Sequence, residues 1–285
     1  MQIQADLHIH TTASDGDLSP HEIVLLAKTQ GLSAMAVTDH DTTSGLSEAM
    51  TDAEKLGITL IPGIEISAVY DPGTLHILGY FSDIPLGLEK ALSDVQHARA
   101  KRAPKIIEKL NELGVRITLD DVMQIAGDAQ LGRPHIAKAL INNGSVKNFE
   151  EAFSRYLAKG KPAYIDKKKM TWDEALVLIK AYGGVSVLAH PFTLCLNANE
   201  LRSFVETLAA HGLSGIEVYY PEHTKAQKKL YASISRSLNL LTTGGTDFHG
   251  SNRNASMPGD SGVDMETVDQ IFRLINKNRK QLKQI

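Results

Sequence analysis

The chain has 285 residues, of which 42% are hydrophobic and 22% charged, with a formal net charge of -3. That suits a large soluble α/β domain, or such a domain carrying a sizeable insertion. The single cysteine, Cys195, excludes a disulfide framework and a thiolate zinc site. No apolar run is long enough to span a membrane, and the amino terminus shows no basic-then-apolar leader, so cytoplasmic residence is expected and no obligate protein partner is evident.

In chain order, residues 2–10 read as a strand and 19–30 as a helix, with Ser19 as its cap and Pro20 at its first position. A second strand is expected over 33–40, a helix over 43–56 stopped by Gly57, and a strand over 58–68. Asp71-Pro72-Gly73 makes a turn into a strand over 75–81, a hairpin that returns His76 towards Glu65. The pattern then turns helical: 88–113 closed by Gly114, 119–125, 134–141 and 149–157. Strand and helix alternate again afterwards, with helices over 172–181, 199–211, 224–238 and about 263–282, and strands over 185–189, 215–220 and 240–246. The reading is a barrel in two parts, 1–85 and 170–285, interrupted by an all-helical insertion at 86–169. Between Pro85 and Lys169 there are 16 Lys and Arg against 10 Asp and Glu, whereas the remainder has 14 against 23. A basic segment suits anions and an acidic body suits cations. No GxGxxG or phosphate-binding glycine loop follows the first strand, which leaves a dinucleotide fold unsupported.

Polar doublets recur at the ends of apolar strands: His8 with His10, Thr38-Asp39-His40, and Asp247 with His249. Strand alternation projects each pair from one face, with Ile3, Ala5, Leu7 and Ile9 on the other face of the first strand. Glu65 lies inside the apolar run Gly63-Ile-Glu-Ile-Ser, where a carboxylate is costly unless paired or metal-bound. His190 ends the strand in Leu188-Ala-His-Pro. Collected, the strand-end groups are His8, His10, Asp15, His40, Glu65, His76, His190, Asp247 and His249, six imidazoles and three carboxylates. Neutral imidazole and carboxylate are the ligands that first-row divalent metals take where thiolate is lacking, and this set suits two to three ions. In a parallel barrel such groups gather at the carboxyl ends of the strands.

The motifs Asp6-Leu-His-Ile-His-Thr, Thr38-Asp-His-Asp, Gly63-Ile-Glu-Ile-Ser, Ala189-His-Pro and Gly245-Thr-Asp-Phe-His, in this order, resemble the polymerase and histidinol phosphatase (PHP) family over nearly the whole chain. The resemblance implies a distorted (β/α)7 barrel with a trinuclear metal centre. By it, His8, His10, Glu65 and Asp247 hold one ion; Glu65 bridges to a second held by His76 and His190; Asp15, His40 and His249 hold the third. Manganese is the expected metal, with iron and zinc as alternatives. The helical insertion and Gly132-Arg-Pro-His-Ile-Ala resemble the branch of small PHP phosphoesterases that includes nucleoside 3',5'-bisphosphate phosphatases and a bacterial 5'-to-3' exoribonuclease.

The implied activity is removal of phosphate from small nucleotides, especially 3',5'-bisphosphates, and trimming of short RNA from its 5' end, by in-line attack of metal-bound hydroxide without a phospho-enzyme. His223 is a candidate proton donor or phosphate ligand, against the plainer reading of a surface histidine before a helix. Asp39 is expected to orient a ligand imidazole. Arg133 and His135, two apart at the start of an insertion helix, are expected to grip a second, non-cleaved phosphate. Arg99 and Arg102, three apart on the long insertion helix, could add to that grip, and Lys167-Lys168-Lys169 could meet RNA, though solvated surface explains both. The rival functions are a histidinol-phosphate phosphatase, a proofreading exonuclease tied to a polymerase, and a non-catalytic metal-binding module.

Overall fold

The computed structural model describes residues 2–127, 131–165, 170–250 and 256–283, and within them every side chain except those of residues 94, 95 and 97–100. Lys167, Lys168 and Lys169 and the side chain of Arg99 therefore lie outside the described residues.

The strands and helices alternate as the periodicity requires. β1 (Ala5–Ile9), α1 (Pro20–Thr29), β2 (Ala34–Val37), α2 (Leu46–Leu56) and β3 (Thr59–Ala68) come first, followed by β4 (Leu75–Tyr80). The helical stretch holds α3 (Leu88–Ala100), α4 (Arg102–Glu112), α5 (Leu119–Ala126), α6 (Arg133–Asn142) and α7 (Phe149–Ala152), which runs on as a π-helical turn, Phe153–Leu157. Then follow α8 (Trp172–Ala181), β5 (Val185–Leu188), a 3-10 turn at Pro191–Leu194, α9 (Ala198–Ala210), β6 (Gly215–Tyr219), α10 (Lys225–Ser237), β7 (Leu241–Gly244) and α11 (Met265–Leu282). Ser19 caps α1 in a reciprocal box with Glu22, and Gly57 stops α2 in a left-handed conformation at φ 62°.

The seven strands lie side by side in chain order in one sheet. β4 runs against both β3 and β5, and the other neighbours are parallel. The sheet curls until its edges nearly meet. The backbone N–H of Asp247 donates to His8 O at 2.8 Å, and that of His10 to Phe248 O at 2.9 Å. The result is the distorted seven-stranded barrel, with the antiparallel β4 as the distortion.

Three expectations are corrected. The helix expected over 88–113 is two helices, parted at Lys101. Pro104 has no N–H to give to the carbonyl four residues back, and its ring crowds that carbonyl, so the run from α3 cannot continue through it. The strict alternation expected across Ile3, Ala5, Leu7 and Ile9 breaks inside β1, where the register with β2 shifts between Asp6 and Ile9. Leu7 joins the core beneath α11, while Ile9 joins the core beneath α1 and α2. The Asp6 carboxylate accepts the His8 backbone N–H at 3.2 Å, a local bond that competes with the ladder. Finally, β2 ends at Val37, short of the His40 expected as its last residue, and His190 and Asp247 likewise lie beyond the strands they follow. His190 (φ 25°), Asp247 (φ 53°) and Asp41 (φ 56°) turn the chain in the left-handed region instead.

Leu78 is the cross-strand partner of Glu65 and Val187 that of Leu78, so the face that carries Glu65 is apolar one step along. Those residues pack with Val268, Ile271 and Ile275 of α11. A separate core gathers Ala103, Ile106, Leu110, Val122, Ile136, Leu140, Leu157 and Ala163 from α4 onward. Leu88 and Leu92 of α3 instead pack with Ile66 and Ile179 of the barrel. No helix among the described residues is long and apolar enough to cross a membrane.

Gly245 shows how closely the barrel closes. A Cβ there would lie 2.5 Å from both His8 Cβ and His8 N, and 2.9 Å from Asp6 Oδ1. Gly245→Ala must push β1 away from the loop after β7, so urea denaturation should show a loss of about 1–3 kcal/mol, the usual cost of overpacking. An unchanged midpoint would mean that the closure is looser than these distances.

Candidate metal centre

At the carboxyl end of the barrel, five imidazoles face the two oxygens of one buried carboxylate. Glu65 Oε1 lies 2.8 Å from His76 Nδ1, 2.9 Å from His190 Nε2 and 3.4 Å from His8 Nε2. Its Oε2 lies 2.8 Å from His40 Nδ1 and 3.3 Å from His10 Nε2. Asp247 Oδ1 approaches His10 Nε2 at 3.0 Å and His8 Nε2 at 3.2 Å. The hairpin from β3 to β4 sets Ser67 opposite His76, which turns His76 back over Glu65. His249 is held by its own turn: its Nδ1 lies 2.8 Å from Asp247 O, and its Nε2 faces Asp15 Oδ1 at 3.3 Å.

Three groups of ligand atoms lie close enough to share an ion: His8, His10, Glu65 and Asp247; His10, Asp15, His40 and His249; and His40, Glu65 and His76. The first coincides with the set implied by resemblance, the second adds His10 to its set, and the third places His40 beside Glu65 and His76. His190 joins this last group through Glu65 Oε1 and through His76 Nδ1 at 3.3 Å.

The donor set fits divalent metal. His8 Nε2, His10 Nε2 and Glu65 Oε2 are buried and make no hydrogen bond to any described residue, although each lies near oppositely charged atoms. Their ligand atoms converge on common space. Electrostatics points the same way. Burial alone would push the Glu65 carboxyl up, yet His76, His40 and His8 hold it well below the usual range. Burial likewise lowers His10, but Asp247 and Glu65 outweigh it and push that imidazole up to about 10. For His76 burial prevails over Glu65 and holds it down to about 3. Cations other than protons, placed among these groups, meet the same concentration of negative charge.

A buried carboxylate in contact with the cluster that the sequence reading does not single out is Glu217. It is wholly buried on β6, with Oε1 3.0 Å from His8 Nδ1 and Oε2 accepting the His190 backbone N–H at 2.7 Å. The signal was present, because Gly215-Ile-Glu-Val repeats the pattern of Gly63-Ile-Glu-Ile. Asp6 was also passed over. Its carboxylate accepts from Thr246 N (3.0 Å), Thr246 Oγ1 (2.6 Å) and Gly259 N (3.0 Å). Asp39, expected to orient an imidazole, instead accepts from Thr11 N, Thr11 Oγ1 and Ser14 Oγ at 2.8, 2.7 and 2.6 Å. It fixes the loop that carries Asp15.

A cavity of about 710 Å³ is lined by Asp15, His40 and His76 and also by Arg102, Arg133, Lys159, Phe153 and Tyr164. The Arg133 guanidinium donates to Leu157 O at 3.0 Å and lies 5.5 Å from the ring centres of Phe153 and Tyr164. Arg102 lies 5.4 Å from the same Tyr164 ring. His135 does not join them. Its Nδ1 accepts the Gly132 N–H at 3.0 Å and so caps α6, and it lines a smaller cleft with Lys138 and Phe149. Residues two apart on a helix face opposite ways, which separates His135 from Arg133. The break at Lys101 likewise puts Arg102 on a different helix from Arg99.

His223 is not a surface histidine. It is 4% exposed, its Nε2 is enclosed, and its Nδ1 donates to Val218 O at 2.9 Å. Burial lowers its pKa. The ring backs Tyr220, whose hydroxyl lies 3.3 Å from Asp247 Oδ2.

Comparison with known proteins agrees with this geometry. The PHP domain model matches residues 6–283. A 5'-3' exoribonuclease of Haemophilus influenzae is 37% identical over 245 residues, spanning 86% of this chain and 89% of its own. A 3',5'-nucleoside bisphosphate phosphatase of Chromobacterium violaceum is 30% identical over 268 residues, spanning 93% and 92%. A crystal structure from Bifidobacterium adolescentis, assigned as a metal-dependent phosphoesterase, superposes with a TM-score of 0.87 at 31% identity, covering 95% of this chain and 96% of that one. A chain with this barrel, this imidazole and carboxylate cluster and these relatives belongs to the PHP family, as a metal-dependent phosphoric ester hydrolase.

Proposed function

We propose that this hydrolase removes a phosphate from nucleoside 3',5'-bisphosphates and trims short RNA from its 5' end. The observation that carries the reading is the cavity, which Arg102 and Arg133 line together with Asp15, His40 and His76. One end takes the phosphate to be cleaved and the other a phosphate that stays. A single-phosphate substrate such as histidinol phosphate has no use for the second end. A cavity of about 710 Å³ falls within the range of small-molecule sites, roughly 300–1,000 Å³. The relatives named for bisphosphate and RNA substrates support the same reading.

In this reading His8, His10, Asp15, His40, Glu65, His76, His190, Asp247 and His249 hold two to three divalent ions, manganese being the favoured metal. Such ions supply Lewis acidity at phosphoryl oxygens and make water a stronger nucleophile near neutral pH. The chain's own residues do the rest. Glu65 and Asp247 set the negative charge against which the ions are placed. Arg133, fixed by the Leu157 carbonyl and two ring faces, presents a guanidinium fork to the distal phosphate. Arg102 on α4 supplies a second positive charge to the same wall. Positioning of this kind is most of what phosphoryl transfer asks of a protein.

Two outcomes follow. Arg133→Ala should raise KM for adenosine 3',5'-bisphosphate by about 10- to 100-fold, the loss of one or two charge-assisted bonds, while barely changing turnover of histidinol phosphate or a simple aryl phosphate. Equal losses on all three esters, or faster wild-type hydrolysis of histidinol phosphate than of the bisphosphate, would remove the two-phosphate reading. Glu65→Gln, tested with manganese in excess, should lose more than about 100-fold in activity, beyond the usual effect of an outer partner of a ligand. Elemental analysis should show less bound metal than in the wild type. Full metal content with full activity would show that Glu65 is no shared ligand.

A further inference from the structure

We infer that Glu217 is a positioning residue that sets the tautomer of His8 and the turn at His190 together, and so couples two of the ion positions through one buried carboxylate. The inference rests on the reading that His8 and His190 are metal ligands. Glu217 stands on β6, which pairs with β5 on one side and β7 on the other. From there it reaches both ways: Oε1 lies 3.0 Å from His8 Nδ1 on β1, and Oε2 accepts the N–H of His190, just beyond β5, at 2.7 Å. A carboxylate only accepts. Nδ1 of His8 therefore donates to Glu217, and Nε2, 3.4 Å from Glu65 Oε1 and 3.2 Å from Asp247 Oδ1, is the nitrogen that a bound ion would take in place of a proton.

At His190 the second oxygen acts on the backbone. The residue has φ 25° and ψ 67°, a conformation that a side chain with a Cβ adopts at a cost. Its N–H cannot follow β5 into the ladder and points at Glu217 instead. That turn swings the imidazole so that Nε2 lies 2.9 Å from Glu65 Oε1. Thr193 Oγ1, 3.2 Å from His190 Nδ1, steadies the ring from the other side. Both oxygens of Glu217 are thus engaged by N–H groups of separate ligand residues. Glu217 is itself wholly buried, and its charge lies where it would offset that of bound ions.

The variant that isolates this role is Glu217→Gln. An amide has one acceptor oxygen and a donor NH2, so it satisfies one of the two N–H groups and sets N–H against N–H at the other. Competition with a chelator for manganese or zinc should show apparent affinity about 10- to 100-fold weaker than in the wild type. Excess metal should restore much of kcat, and the visible spectrum of the cobalt-loaded protein should change. Glu217→Asp keeps the charge and both acceptors, and should recover part of the affinity. A folded Glu217→Gln protein with wild-type metal affinity and spectrum overturns the inference. So does one whose metal-free Tm falls while its affinity holds, since that marks a purely structural residue. Should the variant not fold, long-range 1H–15N spectra of the wild type decide: a proton on His8 Nδ1, with Nε2 shifting when zinc is added, supports the assignment, and the opposite tautomer ends it. Wild type that binds no metal in the same assay would instead defeat the metal-centre reading beneath it.

Discussion

A carboxylate with no solvent exposure, in the interior of a barrel, is the constraint on which the rest of this structure depends. Glu65 is wholly buried in its strand, with Leu78 as its partner on β4, so water does not solvate it. Desolvating an isolated carboxylate is prohibitive unless charge and hydrogen bonds replace the water. Here the replacement comes from five imidazoles carried on or beside β1, β2, β4 and β5. Because one pair of oxygens must be within about 3.5 Å of five nitrogens, the ends of those strands lose their freedom relative to one another. The antiparallel β4 is part of the same solution, since the hairpin is what returns His76 to the residue it left.

Around that centre stands a set of carboxylates that bind backbone. Asp6 ties β1 to the loop after β7, and Asp39 ties the end of β2 to the loop bearing Asp15. Asp41 accepts the Ser67 N–H at 2.8 Å and so ties the His40 turn to β3. Glu217 ties β1 to the turn after β5. Each joins two segments that carry proposed ligands. Left-handed turns at Asp41, His190 and Asp247 would be poor places to anchor an ion if they depended on the ion for their shape. Bonds to buried carboxylates hold them independently, which is the condition for a preorganised site.

Much of this was legible in the residues. His8, His10 and Glu65 announce themselves because polar groups interrupt strongly apolar strands, and a hairpin turn at Asp71-Pro72-Gly73 is enough to bring His76 back. Helix limits followed from Ser19 and Gly57, whose roles as caps are local. What was not legible is what depends on distance in space. Asp39 looks like a partner for its neighbour His40, but the hydroxyls of Thr11 and Ser14 reach it first. His223 reads as a proton donor, a phosphate ligand or a surface histidine, and nothing local shows that Phe192, Tyr220 and Tyr231 close over it. His135 beside Arg133 reads as a pair until helical geometry parts them. Glu217 could have been found by treating its strand as Glu65's was treated. Pro104 could have divided the long helix.

The placement of the arginine wall follows from how the helical stretch is fastened. Its inner core is its own, but α3 belongs to the barrel through Leu88 and Leu92. Glu89 on α3 accepts from Thr42 Oγ1, Thr43 N and Thr43 Oγ1 at 2.9, 2.7 and 2.8 Å, and Gln96 donates to Asp41 O at 3.0 Å. Those four bonds end on the turn that follows His40. Lys159 pairs with Asp71 in the hairpin turn that follows β3. The segment that carries Arg102 and Arg133 is therefore attached at the two loops flanking Glu65 in sequence. This attachment ties the segment that carries the arginines to the loops that follow His40 and precede His76.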